Sequence, residues 1–114
     1  MIVARELSRA ELQRLEDFAK EWGAKGLAYL VHGADGEVRS PIAKFLSEPE
    51  LAAFRGEPGT TTLFAADTKG GVERVLGALR SHLGAELGLI DESRDEFTWI
   101  VDFPLFEWKE DEGR

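Results

Sequence analysis

Residues 8–22, which read SRAELQRLEDFAKEW, carry the clearest structural signal in this chain of 114 residues. Ser8 and Glu11 stand in the capping-box arrangement, in which a serine and a glutamate three residues later each bond a free amide at the start of a helix. Behind them, apolar residues recur every three or four positions and form one face: Leu12, Leu15, Phe18, Ala19 and Trp22. The pattern predicts an amphipathic helix over residues 9–22.

The rest of the chain alternates between strand and helix patterns. Residues that favour β-structure predict strands at 27–31, 37–39, 60–66 and 97–101. A second capping box at Ser47 predicts a short helix, and an apolar stripe predicts a longer one over residues 71–86. Glycines at 33 and 36 join the first two strands as an antiparallel hairpin. We therefore predict an α+β fold, a two-layer sandwich with helices on one face of a mainly antiparallel sheet.

Composition limits the partners that the chain could bind alone. It has 22 acidic residues against 14 lysines and arginines, a formal net charge of −8, and no cysteine. Nucleic-acid affinity rests largely on cations that replace counterions on the phosphate backbone, so this acidic chain should bind RNA only locally or within a larger protein. No apolar run approaches the roughly 18 residues that cross a bilayer. We expect no membrane partner and a cytoplasmic location.

The sequence offers little catalytic chemistry of its own. His32 and His82 are far apart and no third ligand accompanies them, so neither a metal site nor a catalytic histidine is predicted. The glycine-rich stretches 33–36 and 69–71 match neither phosphate-loop pattern. The second of them precedes a predicted helix, where weak anion binding and a simple capping loop both remain open. From composition and spacing alone we predict a small α+β domain and no specific function.

Four segments, in this order and spacing, resemble the GAD domain, an insertion found in bacterial-type aspartyl-tRNA synthetases and in a subunit of tRNA-dependent amidotransferases. They are residues 24–29, 41–47, 76–80 and 87–90. Residues 99–108 resemble the strand by which the synthetase chain re-enters its catalytic core, which favours the synthetase. The resemblance divides the chain into an insertion domain, 1–98, and a re-entry strand with a charged tail, 99–114. The chain departs from the family before the first helix, where we expect the first strand to be truncated or differently paired, and after Glu50, where the length of the middle helix stays open.

The resemblance implies a non-catalytic part of a larger enzyme. Aspartate–tRNA ligases of class II activate aspartate with ATP and magnesium and transfer it to tRNA. The family's ATP-binding arginines, aspartate-binding residues and His-His-Pro segment have no matching positions between Met1 and Arg114. No catalytic residue is therefore carried over. We expect no cofactor in this chain, with ATP and magnesium bound elsewhere in the parent enzyme.

The implied partners are the parent's catalytic core and either the tRNA acceptor side or the amidotransferase. The first residues to test for such contacts are Lys25, Tyr29, Lys44 and Arg80, with ordinary surface and packing roles as the alternative. Residues expected to dock on the core, or to drive self-association without it, are Phe103, Leu105, Phe106 and Trp108. A free-standing small-molecule-binding or regulatory domain is the alternative function.

Overall fold

The computed structural model describes residues 1–54 and 56–102. Its elements in chain order are β1 (Ile2–Val3), α1 (Arg9–Glu21), β2 (Ala28–His32), β3 (Val38–Arg39), a 3-10 turn (Ala43–Phe45), α2 (Glu48–Ala53), β4 (Thr60–Phe64) and α3 (Lys69–Glu86). The four strands form one sheet in the order β1-β4-β2-β3, and every neighbouring pair is antiparallel. The predicted α+β class and antiparallel sheet are confirmed.

Helix α1 begins with the predicted capping box. The Ser8 amide donates to Glu11 Oε2 at 2.8 Å, and the Glu11 amide donates to Ser8 Oγ at 3.3 Å. These two bonds satisfy amides that the first turn leaves without helical partners. The helix ends at Glu21, one residue before the predicted end, and Gly23 follows with a φ of 94°. A glycine adopts this left-handed conformation without the steric cost that a side chain brings.

Helices α1 and α3 pack on one face of the sheet, as predicted. The buried residues of this main core include Leu12, Leu15 and Ala19 from α1, Val75, Leu79 and Leu83 from α3, and Val3, Val31 and Leu63 from the strands. Side chains alternate along a strand, so Leu30 and His32 lie on the opposite face from Val31. Leu30 is nevertheless fully buried. On that second face, Phe54 at the end of α2 contacts the Phe64 ring edge-on, with centroids 4.9 Å apart.

Thr61 ties the N-terminal segment to the centre of the sheet. Its hydroxyl accepts a hydrogen bond from the Leu7 amide at 3.0 Å and donates one to the Arg5 carbonyl at 2.9 Å. The Thr61 side chain is fully buried. Strand β1 has only two residues and pairs with β4 at the edge of the sheet, which agrees with the first of the two expected alternatives, a truncated strand. This hydroxyl therefore continues the attachment that the short strand begins.

The predicted strand at residues 97–101 is wrong. Residues 91–102 contain no strand, and Phe97 and Trp99 are each 94% exposed. Strand-forming residues fit a pleated, half-buried surface, and this segment has no neighbouring strand among the described residues to supply one. The proposed docking residues Phe103, Leu105, Phe106 and Trp108 lie outside the described residues. The boundary between the domain and its tail stays a prediction.

Candidate functional site

The structure does not bring the four candidate contact residues together. Lys25 is exposed in the loop between α1 and β2, Lys44 is exposed in the 3-10 turn, and Arg80 is exposed on α3. Tyr29 is half-buried on β2 and lines a cavity beside β3. Arg80 lines a different cavity, beside β1 at the other edge of the sheet. Any contact through these residues would therefore involve separate parts of the surface.

The cavity beside Tyr29 has a volume of about 550 Å³ and lies where the hairpin ends. Val31 pairs with Arg39, and the same register would place Tyr29 opposite Pro41. Proline has no amide hydrogen to continue the ladder, so the strand stops and leaves Tyr29 without a neighbour on that side. The residues that line the opening are Leu7, Ser8, Arg9, Leu12, Tyr29, Val31, Val38, Arg39, Ser40 and Pro41.

Two arginines give this cavity a cationic rim that the sequence analysis missed. Arg39 Nη2 lies 2.6 Å from Glu6 Oε2, which partly neutralises it. Arg9 forms no ion pair with the described part of the chain. The two arginines are thirty positions apart in sequence and belong to no motif, so only the fold shows that they share a site. Ser8 and Ser40 add hydroxyl groups to the same rim.

The two histidines make structural contacts in different parts of the fold. His32 is buried, and its Nε2 accepts a hydrogen bond from the Gly56 amide at 3.1 Å and lies 3.2 Å from Thr62 Oγ1. His82 stacks on Phe18 with ring centroids 4.3 Å apart. Within residues 1–54 and 56–102, no three potential metal-ligating side chains gather. The contacts of both rings favour the structural interpretation.

The glycine-rich start of α3 is capped by the side chains of the two residues before it. Thr68 Oγ1 accepts the Gly71 amide at 3.3 Å, and Asp67 accepts the Thr68 amide at 2.6 Å. A Cβ built on Gly71 would lie only 3.1 Å from Asp67 Cγ. The Gly71 amide therefore already has an acceptor, and the nearby Asp67 carboxylate would repel an anion. This geometry favours the capping loop over weak anion binding.

Clear pKa shifts occur in exposed structural hydrogen bonds. The Ser47 hydroxyl and amide both donate to Glu50 and lower the pKa of that carboxyl. Ser93 lowers the pKa of Asp91 in the same way, within a turn. The hydrogen bond from Lys20 to Glu16 raises the lysine pKa. The hydrogen bonds that cause these shifts belong to a helix surface, a helix cap and a turn.

No helix in the described ranges combines the length and apolar character that crossing a membrane requires.

Comparison with known proteins places this fold in a family. The model of the GAD domain matches residues 2–76. The chain is 50% identical over 113 residues to the "Aspartate--tRNA ligase" of Agathobacter rectalis, an alignment that covers 96% of this chain and 19% of that protein. It is 45% identical to the "Aspartate--tRNA(Asp/Asn) ligase" of Persephonella marina, with the same coverages of 96% and 19%. The chain thus spans about a fifth of the length of these relatives. Because the matched residues contain all four strands and the first two helices, the chain belongs to the GAD domain family.

Proposed function

We propose that this chain serves as the GAD insertion domain of an aspartate–tRNA ligase and acts there as a non-catalytic positioning module. One observation carries the proposal. The similarity to aspartate–tRNA ligases covers 96% of the chain and so continues beyond residue 76, where the match to the family model ends. A free-standing domain of the same family would need to resemble these ligases only over the residues that the family model covers. In such a synthetase the chain would work in the cytoplasm.

The proposed partner with the most support is the catalytic core of the parent enzyme. The aligned relatives are about five times longer than this chain, so in them this segment is one part of a larger polypeptide. ATP, magnesium and aspartate would be bound by the other parts. Phe103, Leu105, Phe106 and Trp108 remain the residues that we expect to dock on the core.

Contact with tRNA is a finer proposal. A net charge of −8 disfavours binding of the chain alone, but attachment to the parent would raise the effective concentration of tRNA at a weak contact. Lys25, Lys44 and Arg80 are exposed and could meet phosphates, whereas half-buried Tyr29 could meet a base. The tRNA-dependent amidotransferase is the alternative partner for the same surfaces.

The first test uses the purified 114-residue chain. We expect no aspartate-dependent exchange between ATP and pyrophosphate, while the intact Agathobacter rectalis ligase exchanges under the same conditions. Exchange by the chain itself would contradict the non-catalytic role. A low-salt titration with tRNA, repeated with Lys25→Ala and Lys44→Ala, then tests direct contact. Binding that the substitutions abolish would support it, and no binding would leave positioning as the role.

A second function has one observation in its favour. The cavity beside Tyr29 is of a size that small-molecule sites commonly have, which fits a free-standing ligand-binding or regulatory domain. A thermal-shift screen with amino acids and nucleotides would reveal such a ligand, because binding to the folded state raises its stability.

A further inference from the structure

We propose that the cavity beside Tyr29 binds one nucleotide unit, with its base against the tyrosine ring and its phosphate beside Arg9. The inference goes beyond the proposed function, because a nucleotide would fit the cavity whether it is free or part of an RNA strand. Only the identification of such an RNA strand as tRNA rests on the proposed function.

The wall of the cavity suits a flat base. Leu12 and Val31 are each 4% exposed and belong to the main core, and Tyr29 packs against the same core. All three residues line the cavity, so its wall is apolar, and packing against the core restricts Tyr29. An aromatic side chain that is already restricted loses little freedom when a base stacks on it, so the stacking contributes more of its energy to binding.

The rim of the cavity suits a phosphate. Its described lining includes Arg9 and Arg39 and no carboxylate, although the chain has 22 acidic residues. Glu6 pairs with Arg39 and weakens its attraction for an anion. Arg9 has no such partner within the described ranges, so it is the cation that we expect to contact the phosphate. A cationic rim next to an apolar wall matches a ligand with one anionic end and one flat apolar end.

Two serine hydroxyls strengthen the match. Ser8 Oγ accepts the Glu11 amide at 3.3 Å, and Ser40 Oγ accepts the Ile42 amide at 3.1 Å. Each hydroxyl is thereby held in place, and each keeps its own hydrogen for donation to a phosphate oxygen. Hydrogen bonds of this kind to an ionised group are stronger than those between neutral partners.

The other large cavities fit this ligand less well. The cavity beside Arg80 is lined mainly by apolar residues from β1 and the end of α3, with Leu89 and Ile90 among them. The groove beside Trp22 has one arginine, Arg74, together with Glu73, whose carboxylate would repel a phosphate. The combination of aromatic ring, two cations and hydroxyls is confined, among the cavities of the described residues, to the one beside Tyr29.

The test follows the NMR spectrum of the 114-residue chain at low salt during titration with AMP, adenosine, inorganic phosphate and a single-stranded tetranucleotide. We expect AMP to shift the resonances of Tyr29, Val31 and Arg39 and to bind at least tenfold more tightly than adenosine or phosphate. Arg9→Gln should weaken AMP binding about tenfold, the effect of losing one charge-assisted bond. Arg9 lies exposed in the first turn of α1, so this change should not disturb folding.

Arg74→Gln supplies the matched control, since it removes the same charge from an exposed position on α3 outside this cavity. It should leave AMP binding unchanged.

Equal weakening of AMP binding by both variants, or resonance shifts only elsewhere on the surface, would overturn the proposal. Phosphate that binds as tightly as AMP would also overturn it, because the base would then contribute nothing. A tetranucleotide that binds more tightly than AMP would support an RNA source, and equal binding would support a free nucleotide. None of these results decides whether the chain functions within a ligase.

Discussion

Leu79→Ala is expected to lower the free energy of unfolding by about 2–5 kcal/mol, the range for removing a large side chain from a packed core. Leu79 is fully buried on α3, within the cluster that joins both long helices to the sheet. The substitution removes apolar surface and leaves a cavity that the surrounding helices and strands can close only in part. Small domains are stable by only about 5–15 kcal/mol, so the loss should be plain in urea denaturation followed by circular dichroism.

Gly77→Ala is the control for Leu79→Ala because it lies in the same helix and should change the stability of the protein in the opposite direction. Gly77 is exposed, and a Cβ built on it has no neighbouring atom within 4 Å. Close packing therefore does not require this glycine, and alanine should stabilise the helix by about 1 kcal/mol. Effects of the same sign at both positions would contradict the assignment of the buried and exposed faces of α3.

Thr61→Val is expected to lower the free energy of unfolding by about 1–3 kcal/mol, the cost of leaving the buried Leu7 amide without a partner, whereas water can reach the carbonyl of exposed Arg5. Valine keeps the shape of threonine but can neither accept from the Leu7 amide nor donate to the Arg5 carbonyl. Hydrogen exchange at the Leu7 amide should become faster in this variant, because that amide loses its acceptor.

Thr61→Ser separates the hydroxyl from the methyl group. Serine retains both hydrogen bonds and loses one buried methyl, a change worth about 1 kcal/mol. Thr61→Val should therefore be the more destabilised of the two proteins. Stability of Thr61→Val equal to that of the unchanged protein would show that the hydroxyl does not hold the N-terminal segment to the sheet.

The features that could be predicted from the sequence are those in which the interacting residues are close in the chain. The start of α1 depends on Ser8 and Glu11, three positions apart, and its capping box is confirmed. The hairpin of β2 and β3 depends on glycines in the intervening turn, and its antiparallel pairing is also confirmed. Turn chemistry and helix caps are local, so a single sequence carries them in full.

Features that depend on distant residues could not be predicted. The Thr61 hydroxyl accepts a hydrogen bond from the Leu7 amide, 54 positions away, and no pattern in either segment indicates this pairing. The strand predicted at 97–101 failed for the same reason, because strand propensity does not reveal whether a neighbouring strand is available. Tyr29 entered as a candidate through the family resemblance alone. The two arginines beside it became visible only when the fold placed the start of α1 next to the end of the hairpin.

The central claim is that this chain works as the insertion domain of an aspartate–tRNA ligase. The most direct measurement is the rate of tRNA aspartylation by the Agathobacter rectalis ligase whose matching segment, 50% identical, has been replaced by this chain. A version in which a short linker replaces the segment supplies the reference. We predict that the chimera aspartylates tRNA at a rate close to that of the natural enzyme and well above that of the linker version. A folded chimera no faster than the linker version would contradict the claim.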